Sequence, residues 1–250
     1  MMTNAALPFK AAFSFVVLCL ACLGLSQPAA AQSAPAKGAW EVLSVSWQPG
    51  YCAARPKSRG CAGFTATSPA ARQFSLLSRF QVRKSYCGID DALQQKARKG
   101  KWTDLPEIVL ASATKDRLLV AMPAAKLGLD RLQWLRSGSC VAASAEVYYS
   151  RSLDLLDQLN ASPVRTLFME KAGATITLAE VRAAFDKAFG PDSGERVRLS
   201  CRKGAGGKPI VIGLTIGLAA GEGVLERLID GSSPTTSRCT EGTTGVAQAG

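Results

Sequence analysis

The chain contains no histidine. Histidine is the side chain whose unperturbed pKa lets it take and give protons near neutrality. Histidine acid–base catalysis is therefore excluded, as is imidazole ligation of a metal. The groups left for chemistry are thiols, carboxylates and cations. Eight cysteines occur, and Cys19 and Cys22 lie in an apolar N-terminal run. The other six are Cys52, Cys61, Cys87, Cys140, Cys201 and Cys239. None of these six is spaced C-x-x-C, so no metal site and no cofactor is expected. An even number in an exported chain reads as three disulfides, with the pairing left open by spacing alone. Arg79, Arg83, Lys84 and Arg136 are candidate anion-binding residues, because guanidinium groups make paired contacts with phosphate oxygens. An ordinary solvated basic face is the alternative for the same four. Phe80 and Trp134 are candidates for stacking on a base. The core is the preferred place for Trp134 and for Trp47. The stretch Lys96 to Lys101 reads as a solvated loop or helix face.

Net charge points the same way as the arginines. Lysine and arginine number 30 against 19 acidic residues, a formal charge of +11. Such a field favours polyanions: nucleic acid, anionic lipid or acidic glycans. The hydrophobic fraction of 47% and charged fraction of 20% are those of a globular protein and exclude general disorder.

Several elements must position these groups. Residues 1–31 have the plan of a secretory signal: Lys10, an apolar run from Ala11 to Leu25, a break at Ser26-Gln-Pro28, and Ala29-Ala-Ala31 before the cut. The run is short for a membrane span, so export to the periplasm or medium is expected, without stable membrane insertion. Removing the segment removes Lys10 alone among charges and leaves +10. Residues 32–39 read as a linker and 40–250 as one domain. Trp40 to Trp47 alternates, with Leu43, Val45 and Trp47 on one strand face. Phe74 to Leu77 is a second strand candidate. Ala143 to Leu159 carries Tyr149, Leu153, Leu156 and Leu159 at helical spacing. Thr177-Leu-Ala-Glu180 is a capping box, and its helix ends at Gly190-Pro191. Arg196 to Cys201 and an alternating run of Ile210, Ile212, Leu214, Ile216 and Leu218 read as a hairpin turned at Gly204 to Lys208. The pattern predicts an α+β class with an antiparallel sheet.

Three stretches resemble the ribonuclease T2 family, particularly its bacterial periplasmic members of the ribonuclease I type. Val45-Ser-Trp-Gln-Pro-Gly-Tyr-Cys52 is similar to the family's opening strand and its Trp-x-Pro-x-Phe/Tyr-Cys element. Phe74-Ser-Leu-Leu-Ser-Arg-Phe-Gln81, followed by Tyr86-Cys87-Gly88, sits where the family has Phe-Thr-Leu-His-Gly-Leu-Trp-Pro and then Cys-Gly. Gln133-Trp-Leu-Arg-Ser-Gly-Ser-Cys140 is similar to Glu-Trp-x-Lys-His-Gly-Thr-Cys. The resemblance implies the T2 fold, an antiparallel central sheet with surrounding helices. It also implies the pairs Cys52–Cys61, Cys87–Cys140 and Cys201–Cys239.

The departures fall on the catalytic positions. In the family, one histidine deprotonates the ribose 2′-hydroxyl, another protonates the leaving oxygen, and a Glu with a Lys or His stabilises the charged phosphorane. Here those places hold Leu77, Ser137, Gln133 and Arg136. Each lost acid or base is worth about 10²–10⁴ in rate. Asp90, Asp91 and Asp130 lie near the two blocks in sequence and are the carboxylates available for a rescue. The expected function is a secreted T2-like pseudoenzyme that binds RNA or another polyanion. The alternatives are a residual endonuclease built on other residues and a protein-interaction module of the envelope or a host.

Overall fold

The computed structural model describes residues 41–247. The expected secretory segment 1–31, the expected linker 32–39 and Trp40 lie outside the described residues, as do 248–250. Strand β1 (Glu41–Ser46) leads into helix α1 (Gln48–Ala54), and β2 (Ser75–Gln81) follows a turn-rich stretch. Helices α2 (Asp91–Arg98), α3 (Ser112–Ala121), α4 (Leu129–Arg136), α5 (Ala145–Asn160) and α6 (Pro163–Glu170) come next. The short β3 (Thr175–Thr177) enters α7 (Leu178–Phe189). Strands β4 (Val197–Lys203) and β5 (Pro209–Leu218) form the hairpin, followed by α8 (Leu225–Asp230) and β6 (Glu241–Thr243).

The sheet is centred on β5. Its Gly213–Leu218 half pairs antiparallel with β1, which pairs antiparallel with β2. β4 flanks β5 on the other side. β6 joins β5 at Ile210↔Thr243 and is parallel to it, so the sheet is mixed at that point rather than wholly antiparallel. β3 pairs with β6.

Alternation along β1 explains which sheet face is covered. Leu43, Val45 and Trp47 are buried on one side. Trp47 meets Phe74 and Phe168 with ring centroids 5.3 and 5.2 Å away. Such tilted aromatic contacts add to the burial itself. Helix α5 supplies the opposing layer: Tyr149, Leu153, Leu156 and Leu159 are buried as their spacing predicts, and Tyr148, Ser152 and Leu155 are buried too. A stripe that wide means the helix is enclosed on more than one side. The capping box forms: Thr177 Oγ1 accepts from the Glu180 N–H at 3.2 Å, and Glu180 Oε2 accepts from the Thr177 N–H at 2.8 Å.

One strand departs from its sequence reading. Val211 is fully buried, whereas Ile210 and Ile212 are only half-buried. The alternation changes phase where β4 passes from Ser200↔Gly213 to Cys201↔Val211, a bulge that skips Ile212. Gly213 permits it, since a Cβ there would lie 2.0 Å from the Val45 carbonyl oxygen.

Candidate functional site

The second and third blocks of the family likeness meet beyond the C-terminal end of β2. The disulfide Cys87–Cys140 joins them, and the Tyr86 N–H donates to the Arg136 carbonyl at 2.9 Å. The other pairs are Cys52–Cys61 and Cys201–Cys239, as the resemblance implies. The chain reaches Cys87 through a tight turn in which Arg83 and Tyr86 adopt positive φ values of 65° and 55°.

Leu77 sits at a second bulge. Ser44 pairs with Ser78 and Val45 with Leu76, so Leu77 has no partner in the register and stands 37% exposed. Ser137 follows the last residue of α4 and is buried. Its hydroxyl donates to Gln133 Oε1 at 3.3 Å, so two of the four family positions touch each other. Neither group titrates in the range where a proton shuttle works. Arg136 is exposed at the C-terminal end of α4, where a cation also complements the helix dipole. Trp134 is half-buried beside Tyr148, with centroids 6.2 Å apart. It lies so close to Gly138 that a Cβ on that glycine would be 2.4 Å from the indole ring. Core packing therefore accounts for Trp134. Phe80 is half-buried on β2.

Arg79 corrects the expected cation cluster. It lies opposite Leu43 in the β1–β2 register, on the covered face, and is 5% exposed. Its guanidinium pairs with Glu41, donates to Ser152 Oγ at 3.3 Å, and lies 5.6 Å from the centre of the Tyr148 ring. Buried and paired with Glu41, it lies apart from the exposed cations. The bulge at Leu77 shifts the phase of the strand and turns Arg79 inward, and the Glu41 carboxylate makes a cation tolerable there.

Arg83 and Lys84 are exposed on the turn after β2. Arg98 belongs to the Lys96–Lys101 stretch, which the sequence marks as a solvated face. Its guanidinium, at the end of α2, lies 5.5 Å from the centre of the Tyr86 ring. The rest of that stretch, Lys96, Lys99 and Lys101, is exposed. Among the described residues, Arg83, Lys84, Arg98 and Arg136 make no ion pair.

The carboxylates do not converge on this point. Asp90 caps α2, accepting from the Leu93 N–H at 2.9 Å. Asp91 is exposed in the first turn of that helix. Asp130 lines a recess with Glu107, Lys115 and Arg131. Burial pushes its pKa up, and its Oδ1 has no hydrogen-bond partner.

No protein-family model matches the chain. A curated relative, ribonuclease I of Escherichia coli strain K12, is 23% identical over 184 residues, covering 64% of this chain and 69% of the relative. The crystal structure of the Nicotiana alata self-incompatibility SF11-RNase superposes with a TM-score of 0.53 and 14% identity, over 83% of this chain and 97% of that one. The chain has a ribonuclease T2-like fold. In this T2-like frame the three disulfides, the α+β layering and the inter-block bridge are all present. Among the described residues no group of three or more cysteines and carboxylates could hold a metal ion, and no helix is long and apolar enough to cross a membrane.

Proposed function

We propose that this T2-like chain is a non-catalytic exported protein that binds RNA on the rim of the former active site. One observation carries the reading. Arg136 is tied by backbone and disulfide to the turn bearing Arg83 and Lys84, and these exposed cations have no carboxylate partner among the described residues. The positions that correspond to catalytic groups hold Leu77, Gln133 and Ser137, and the Ser137 hydroxyl is buried against the Gln133 amide. A site with cations and without a proton shuttle holds phosphate but does not cleave. The names of both relatives denote ribonucleases, which makes RNA the first polyanion to test. Three disulfides favour an oxidising compartment, periplasm or medium.

Exposed Leu77 and Val82 favour a second reading, a protein partner seated over the same rim. A paired assay separates the two. The oxidised mature chain is incubated with labelled single-stranded RNA from pH 4 to 8, and binding is measured at two salt concentrations. The expected result is no cleavage and binding that weakens with salt by about 0.7 in log–log slope for each phosphate contact. Arg136→Glu should weaken binding about tenfold. Cleavage lost on substitution of Arg136 or Asp130 would overturn the proposal and establish a different catalytic set. Absence of RNA binding would leave the protein-partner reading.

A further inference from the structure

A cavity of about 500 Å³ shares no lining residue with the Cys87–Cys140 junction and its exposed cations. That volume is in the range of small-molecule sites, about 300–1,000 Å³. One wall is the segment after α1. Gln48, itself buried, donates from Nε2 to the Gly60 carbonyl at 2.9 Å, and the Tyr51 hydroxyl meets Ser58 Oγ at 3.0 Å. With the Cys52–Cys61 bridge, these contacts hold the wall in place without a ligand. The opposite wall is the last turn of α3 and the 3₁₀ turn Pro123–Leu127.

The α3 wall has more apolar surface than the core uses. Leu118 and Ala121 face inward. Leu119 and Val120 lie one and two helical steps of about 100° away, so they cannot share that face. They stand 40% and 52% exposed and line the cavity with Phe64, Pro69 and Leu127. Two charged side chains complete the lining, Arg59 on the first wall and Lys126 on the second, and no carboxylate lines it. Neither cation is in an ion pair among the described residues.

We propose that this cavity binds a small anionic amphiphile, its apolar body against Leu119, Val120 and Phe64 and its anionic head between Arg59 and Lys126. Apolar walls with two unpaired cations and no acid discriminate against neutral and cationic ligands of the same shape. The site does not depend on the RNA-binding reading, because it shares no residue with the rim at Arg136.

Radiolabelled decanoate is the probe, measured by equilibrium dialysis on the full oxidised chain. Decanol and decyltrimethylammonium serve as its neutral and cationic counterparts. Decanoate should bind at one site per chain and be preferred over both counterparts. Arg59→Gln and Lys126→Gln should each weaken it about tenfold, and Val120→Trp should fill the cavity and abolish binding. RNA binding should be unchanged in all three variants, which separates this site from the rim. Equal uptake of decyltrimethylammonium, or decanoate binding unaffected by the three substitutions, would overturn the proposal. So would the absence of decanoate binding.

Discussion

Single residues decide which cations reach the surface of this fold, and Arg79 shows it most clearly. A cation in a sheet core is tolerated only when its charge is matched. Glu41, two positions along the neighbouring strand from the register partner Leu43, does the matching, and Tyr148 and Ser152 lie against the same guanidinium. Tyr148 also accepts from the Arg79 N–H and donates to the Arg79 carbonyl, both at 2.9 Å, and its burial raises the phenol pKa far above the usual value. Removing one partner leaves the other charged and buried. Glu41→Ala should therefore cost about 3–5 kcal/mol. Exchanging both, Glu41→Leu with Arg79→Leu, should be close to neutral. Urea denaturation of the wild type, Glu41→Ala and the double variant measures this directly. A double variant as unstable as Glu41→Ala would show that the pair is not the reason Arg79 is accepted.

Among the elements, α7 has an entry set by charge. Glu180 accepts from the Thr177 N–H and hydroxyl and pairs with Lys171 at 2.6 Å. The Lys171 ammonium and then the Thr177 donors hold its pKa down to about 2, below the ordinary 4.5. A depressed carboxylate pKa gives stability that is present above the unfolded value and is lost as pH falls through the folded one. The cap should thus weaken between about pH 4.5 and 2. Thermal unfolding of wild type and Glu180→Gln should differ most at neutral pH and converge near pH 2. A constant gap across that range would mean that the cap acts through geometry rather than ionisation. This helix start was legible from Thr177-Leu-Ala-Glu180, because both partners lie within one turn. Helix α4 was not legible, although it carries Gln133, Trp134 and Arg136. Its Leu129, Leu132 and Leu135 make a short stripe that spans little more than two turns.

For the whole molecule, the bridge Cys87–Cys140 is the joint that keeps the two blocks together. It closes a loop of 53 residues, and a loop of that length loses much of its unfolded-state freedom. Replacing both cysteines by serine should lower stability by about 2–4 kcal/mol. RNA affinity should fall as well, since Arg136 is then held to the β2 turn mainly by the Tyr86 N–H. Denaturation and RNA titration of the same double variant test both effects. Unchanged affinity would show that the rim cations act independently of the frame.

Some of this protein was determined by sequence alone. Absence of histidine is a statement about composition, and no fold can supply the missing group. The strand faces of β1, the stripe of α5, the cap of α7 and the cysteine count follow from local period and residue type, and the structure bears them out. Other features required the tertiary structure. Arg79 and Arg83 lie four residues apart, yet one is buried against Glu41 and the other is exposed. The bulge at Leu77 and the phase change at Gly213 depend on how strands pair, which no single strand encodes. The cavity beside Arg59 exists because two segments about sixty residues apart pack against each other and leave Leu119 and Val120 outside the core. Local periodicity says which face of an element is apolar; only packing decides what that face meets.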